Sequence, residues 1–255
     1  MSFVLQQAPL WVMLIVLGMV FVGSFELTFR IHQRCCKAKT SNKVDAVGHL
    51  LSAVLGLLAL LLGFTFSMAL ERYDSRLVLV REESNAISTA YLQVQILDEP
   101  FRSQLNSLFK KYVNTRLDYF TNEKLSAYKD TLAVEDAMWP IVTKAVHVME
   151  NHDYTSVVVS SMNSMFDMAA SRRAAIAAKI PKSVFEMIIW YAIISSITIA
   201  YTLSATNQRH ILLSTIVLFL VAFVIALIVD LDRPLHGTIH VSYEPLKLVA
   251  DQINR

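Results

Sequence analysis

Residues 46–70 read AVGHLLSAVLGLLALLLGFTFSMAL, a run without one Asp, Glu, Lys or Arg. At 1.5 Å of rise per residue, a helix of that length reaches across the roughly 30 Å hydrocarbon core of a bilayer. A lone segment there has to be helical, because hydrocarbon offers no partner to a free N–H or C=O. Three further windows lack those charges as well: 1–25, 187–208 and 210–229. They give four candidate spans, about Leu10–Phe29, Gly48–Leu70, Phe185–Leu203 and Ile211–Val229. Of the 255 side chains 55% are hydrophobic and 17% charged, against about 45–50% and about 25% in an ordinary soluble domain. A plain soluble enzyme is excluded. The composition is that of a polytopic membrane protein whose first partner is the lipid bilayer.

Between spans two and three lies a polar insert, Glu71–Lys182, with 14 Lys/Arg and 14 Asp/Glu. Its apolar residues recur at helical spacing: Leu105, Leu108, Phe109, Tyr112, Val113, Leu117 and Phe120 follow the i, i+3, i+4, i+7 pattern. Tyr73, Leu77, Val80, Ile87, Tyr91 and Val94 follow it more loosely. Further helices are expected over about Val134–Glu150, bent at Pro140, and Ser156–Ile180. Pro181 then breaks the chain, and Ser183 with Glu186 has capping-box spacing at the start of span three. Only Thr238–Tyr243 reads as a short extended run. The expected fold is all-α: four transmembrane helices in two hairpins, with a helical extramembrane insert between spans two and three. The expected divisions are a first hairpin over 1–70, the insert over 71–182, a second hairpin over 183–230 and a tail over 231–255. The uncharged amino terminus lacks the basic region of a secretory signal and reads as a retained first span.

Much chemistry is missing from the sequence. No glycine lies between Phe64 and His236, and phosphate-cradling loops and nucleophile elbows need glycine for close backbone approach. The insert therefore has no P-loop, dinucleotide fingerprint or Gly-x-Ser-x-Gly turn, and no catalytic residue or cofactor is expected. Formal net charge is +2, and without a basic stripe carrying interleaved aromatics no nucleic-acid partner is expected. His147, Glu150 and His152 read as exposed polar residues near a helix end rather than metal ligands, since i to i+5 splays the imidazoles apart on a helix. His236 and His240 sit in a stretch unsuited to a helix, so no metal is expected there either. Adjacent Cys35 and Cys36 make a poor disulfide and read as inert thiols, with membrane-side lipidation as the alternative. Glu26, Glu186, Asp230 and Asp232 sit at span ends. Capping or snorkelling explains them, with an ion-facing or pH-sensing role as the alternative.

Span two carries the most informative pattern. Ser52, Gly56, Ala59, Gly63 and Ser67 form a stripe of small residues at helical spacing. Such a stripe serves either close helix packing or a pore lining. Beside it, Leu60 and Phe64 face a direction of their own. With several copies around an axis they would form a narrow apolar constriction, which gates by dewetting; otherwise they face lipid.

Leu62-Gly63-Phe64, followed after seven residues by Arg72-Tyr73, resembles the pore helix of bestrophin anion channels. Phe64, Ala69, Glu71, Arg72 and Tyr73 resemble the bacterial form of that motif. A second set of residues spans most of the chain: Arg72-Tyr73-Asp74, Glu83-Ser84-Asn85-Ala86-Ile87, Glu99-Pro100-Phe101-Arg102, Leu231-Asp232-Arg233-Pro234 and Glu244-Pro245. On these the chain is identified as a member of a bacterial family described only as bestrophin-like. The resemblance implies a homo-oligomer of five subunits in a bacterial inner membrane, with Gly56, Leu60 and Phe64 at the neck of an anion pathway. Bestrophins carry three bulky neck residues; Gly56 stands at the first position here, so the constriction is shorter or wider. No acidic calcium clasp is found, and calcium activation is not implied.

Topology is balanced. The basic loop Arg30–Lys43 beside an uncharged amino terminus favours a cytoplasmic loop, yet the opposite face carries more flanking cations. The resemblance places the insert and both termini in the cytoplasm, and that is the expectation adopted. The leading functional expectation is an ion channel conducting small anions such as chloride. Arg72 and Arg76 would concentrate anions at one mouth, or else serve as ordinary solvated or paired arginines. The alternative is a non-conducting membrane scaffold or sensor whose insert binds a partner.

Overall fold

The computed structural model describes residues 9–35, 44–122, 125–149, 152–205, 210–234 and 237–255. Cys36, Lys43, Glu150 and His236, named above, lie outside them. The described residues form eight helices and no strand. They are α1 (Leu10–Cys35), α2 (Val44–Val94), α3 (Phe101–Asn122), α4 (Leu125–Val148), α5 (His152–Ala177), α6 (Lys182–Ala205), α7 (Ile211–Asp232) and α8 (Glu244–Asn254). Among the described residues, four stretches contain a helical segment long and apolar enough to cross a membrane: Leu10–Arg34, Gly48–Val94, Tyr154–Ala205 and Ile211–Asp232.

Several boundaries differ from the sequence reading. Arg30 is helical rather than part of a loop, and its guanidinium donates to Glu26 one turn back at 3.1 Å. Span two and the first helix of the insert are one helix of 51 residues. No Gly or Pro occurs between Phe64 and Val94 to interrupt it. On the other side Pro181 does separate α5 from α6. Because α6 already begins at Lys182, Ser183 lies inside its first turn and not in front of it. Pro140 is accommodated within α4, and the residues after Thr238 form no strand.

The chain divides into two units. The first comprises Met1–Arg72 and Lys179–His240. Within it α1 packs chiefly against α6 and α7, not against its sequence neighbour. Met13, Leu17, Phe21, Phe25 and Phe29 repeat every four residues and are all buried. Hydrocarbon supplies no hydrophobic drive between helices, so close approach and interhelical hydrogen bonds hold them, the latter averaging about 0.6 kcal/mol each. Ser196 donates to the Phe21 carbonyl at 2.7 Å, and Ser24 donates to Ser196 at 3.0 Å. His32 Nδ1 lies 2.9 Å from the Ser204 hydroxyl. At Gly18 the Phe219 ring lies against the helix, so close that a Cβ there would stand 2.9 Å from it.

The acids at the end of α7 are structural ties. Asp230 accepts the N–H groups of Thr238 and Ile239 at 2.9 and 3.0 Å. Asp232 accepts the Ile180 N–H with both oxygens, at 3.0 and 3.2 Å. Both carboxylates are buried, which suits the capping explanation rather than an ion-facing one. Gly237 is required in this turn, since a Cβ on it would meet the Asp230 carbonyl oxygen at 2.7 Å.

The second unit comprises Tyr73–Ala178 and Val241–Arg255. The residues expected as one tail, 231–255, are thus divided between the units. Val80, Ile87, Ala90 and Val94 of α2 are buried, as are Leu105, Phe109, Tyr112 and Val113 of α3. Helix α8 buries Leu246, Val249, Ala250 and Ile253 along one face and packs on α3. The amides of Asn114 and Asn254 exchange hydrogen bonds at the edge of that contact.

Gly237→Ala forces a Cβ against backbone that side-chain motion cannot relieve. Thermal unfolding of the purified protein should show a loss of about 1–3 kcal/mol, the usual cost of an overpacked site.

Candidate functional site

Helix α2 buries one narrow arc of its membrane segment: Leu58, Leu62, Thr65 and Ala69. At about 100° per residue, the stripe Ser52, Gly56, Ala59, Gly63 and Ser67 is centred about 130° from that arc. Leu60 and Phe64 lie about 150° away on the other side, so the direction opposite the buried arc falls between the two stripes. All five small residues are exposed in the chain. Leu60 is 52% exposed and Phe64 64%. A Cβ built on Gly56 or Gly63 would meet nothing within 4 Å. Among the described residues nothing packs on the small stripe, and the two stripes form one continuous exposed face.

The two arginines beyond this segment have different surroundings. Arg72 is partly exposed. Arg76 is buried, and its guanidinium donates to the carbonyls of Ala175 and Ala178 at 3.4 and 3.3 Å. Those carbonyls lie at the carboxyl end of α5, where a helix leaves acceptors unsatisfied and its dipole favours a cation. This geometry withdraws Arg76 from the role of a solvent-facing charge.

A buried charge cluster of the second unit was not anticipated. Glu83 is fully buried and pairs through its two oxygens with Arg116 and Arg172. The Arg172 guanidinium lies 3.6 Å from the centre of the Phe120 ring, which stacks on Tyr243 at 5.0 Å. One carboxylate thus faces two guanidiniums, and the aromatic face offers the second cation a partner. Burial acts to lower the Arg116 pKa, but the Glu83 carboxylate beside it prevails and the net shift is upward. Burial likewise pushes the Tyr112 phenol well above its ordinary value. A signal was present in the sequence: Glu83 lies three residues after Val80 and four before Ile87, on the apolar stripe of α2. Arg116 falls between Tyr112 and Phe120 in the same way. A charge on a core stripe demands a buried partner.

A family model described as the bestrophin-like domain matches residues 19–246. The chain belongs to the bestrophin-like family. A bacterial bestrophin homologue from Klebsiella pneumoniae, solved with a tryptophan-to-alanine mutation, has a similar fold, with a TM-score of 0.61. The likeness covers 97% of this chain and 96% of that one at 11% sequence identity. A search of the curated proteins gives no match.

In this bestrophin-like chain the Glu83 cluster holds α2, α3 and α5 together within the second unit. Glu83→Ala leaves two buried guanidiniums facing each other and should lower stability by about 3–5 kcal/mol. Removing the exposed neighbouring carboxylate with Glu82→Ala should change stability by no more than about 0.5 kcal/mol. Parallel thermal melts of the two variants check this.

Proposed function

We propose that this bestrophin-like protein assembles as a homo-oligomer, a pentamer by family resemblance, that conducts small anions such as chloride. Helix α2 lines the pore. Leu60 and Phe64 form the constriction, and Ser52, Gly56, Ala59, Gly63 and Ser67 face the lumen or the adjoining subunit. The observation that carries this reading is the uncovered face of α2. Two stripes opposite its buried arc have no cover among the described residues, and one of them bears small and hydroxyl side chains poorly suited to lipid. Several copies around an axis would give that face a lumen. Leu60 and Phe64, large and apolar, would narrow it to a dewetting gate. Arg72 is the charge left to raise the local anion concentration at one mouth. Residues 1–70 and 183–230 supply the membrane hairpins and 71–182 the extramembrane part. The location proposed is the bacterial inner membrane, with the insert and both termini in the cytoplasm.

Chloride efflux from liposomes holding the purified protein tests conduction. Wild type should pass chloride, and Phe64→Ala should raise the flux several-fold by trimming the constriction. Absence of flux from well-folded oligomers of both proteins, over a range of pH and voltage, would favour the scaffold or sensor in which α2 only packs.

Sidedness is tested separately. In a variant lacking Cys35 and Cys36 and carrying Lys129→Cys, a membrane-impermeant thiol reagent should label broken cells and leave intact spheroplasts unlabelled. Labelling of intact spheroplasts would place the insert outside.

A further inference from the structure

The first unit holds a cavity of about 350 Å³ between the amino-terminal half of α1, the start of α6 and the end of α7. That volume falls in the range of ligand-binding pockets, about 300–1,000 Å³. Its two ends differ in chemistry. Toward the middle of the helices the cavity is lined by Leu17, Ile193, Ile225 and Val229, together with Trp190. The outer end carries Lys179, Lys182, Glu186, Asp232 and Arg233. From Lys182 to Ile193 is eleven residues of α6, so the cavity runs about 16 Å along the helix.

The charges at the outer end are unequal in availability. Asp232 already accepts the Ile180 N–H with both oxygens and is buried. Arg233 is buried too, with Nη2 3.1 Å from the Met13 sulfur. Lys179, Lys182 and Glu186 are exposed. Two cations against one carboxylate leave the accessible rim positive, and the five charges together also sum to +1. A positive rim above an apolar channel, at the end of membrane-spanning helices, complements an amphiphile with an anionic head. A free anion would leave the apolar end empty, and a neutral apolar molecule would leave the lysines unused.

We propose that this cavity binds one acyl chain of an anionic membrane phospholipid, with Lys179 and Lys182 holding the head-group phosphate. A basic rim between membrane helices recognises such head groups by charge, each lysine adding to retention. The site lies apart from α2 and does not depend on conduction.

Native mass spectrometry of the full chain in detergent, with phosphatidylglycerol or phosphatidylcholine of the same acyl chains added, tests it. Wild type should retain the anionic lipid about thirty-fold more strongly, the factor expected from two surface lysines. Lys179→Gln with Lys182→Gln, both exposed and so harmless to folding, should bring the two lipids to equal retention. Ile193→Trp fills the apolar end and should reduce retention of both. Equal retention of the two lipids by wild type would overturn the proposal, as would a preference that survives the double lysine variant. Displacement of phosphatidylglycerol by millimolar inorganic phosphate would overturn it as well, showing a free-anion site. Retention of no lipid by wild type would mean that another copy of the chain covers the cavity, and would also refute it.

Discussion

In hydrocarbon a backbone N–H or C=O has to find its partner within its own helix, and α2 meets this constraint in its uncharged first part and continues as a helix beyond it. Its 51 residues pass from an uncharged segment into a charge-rich one without a break. The first part buries Leu58, Leu62, Thr65 and Ala69, and the second buries Val80, Glu83, Ile87, Ala90 and Val94. One continuous helix thus contributes a stripe to each unit. A Pro or a Gly-rich turn near Leu70 would have divided it. The sequence has neither there, and helix propensity carries the chain through.

The two units are held by different physics. In the first, apolar surface gains little by leaving lipid, so small residues and serine hydrogen bonds fix α1 against α6 and α7. In the second, a conventional core of Phe109, Tyr112, Val113 and the apolar face of α8 surrounds one carboxylate and two guanidiniums. A buried ion cluster of this kind adds little net stability over an apolar core, but loss of a single member is costly. It therefore ties α2, α3 and α5 to one arrangement. Arg76 works similarly on the terminal carbonyls of α5.

Four helices long and apolar enough to cross a membrane, and the helical character of the stretch after the second, were legible from charge-free windows and 3.6-residue periodicity, because a run of that length without a charge is a nearly unambiguous mark. Phe109, Tyr112 and Val113 were likewise readable as core. Helix ends were not: α1 runs on past Arg30 to Cys35, and no Gly or Pro marks its end in advance. Partner choice was illegible too. The pairing of α1 with α6 rests on Ser24 and Ser196, 172 residues apart, and no local pattern encodes it. The hold of Arg76 on the Ala175 and Ala178 carbonyls was illegible, because backbone acceptors leave no trace in side-chain spacing. The small-residue stripe of α2 admitted two readings, pore lining and helix packing, and it is exposed among the described residues.

The central claim is that the uncovered face of α2 meets water in the assembled protein. Cysteine scanning from Gly56 to Ser67 in reconstituted protein, with a water-soluble thiol reagent and chloride flux as the readout, tests it most directly. The account predicts modification and block at Gly56→Cys, Leu60→Cys and Phe64→Cys, and none at Leu58→Cys or Leu62→Cys. Modification of the first three only by a membrane-soluble reagent, with flux unchanged, would mean that this face meets lipid and would contradict it.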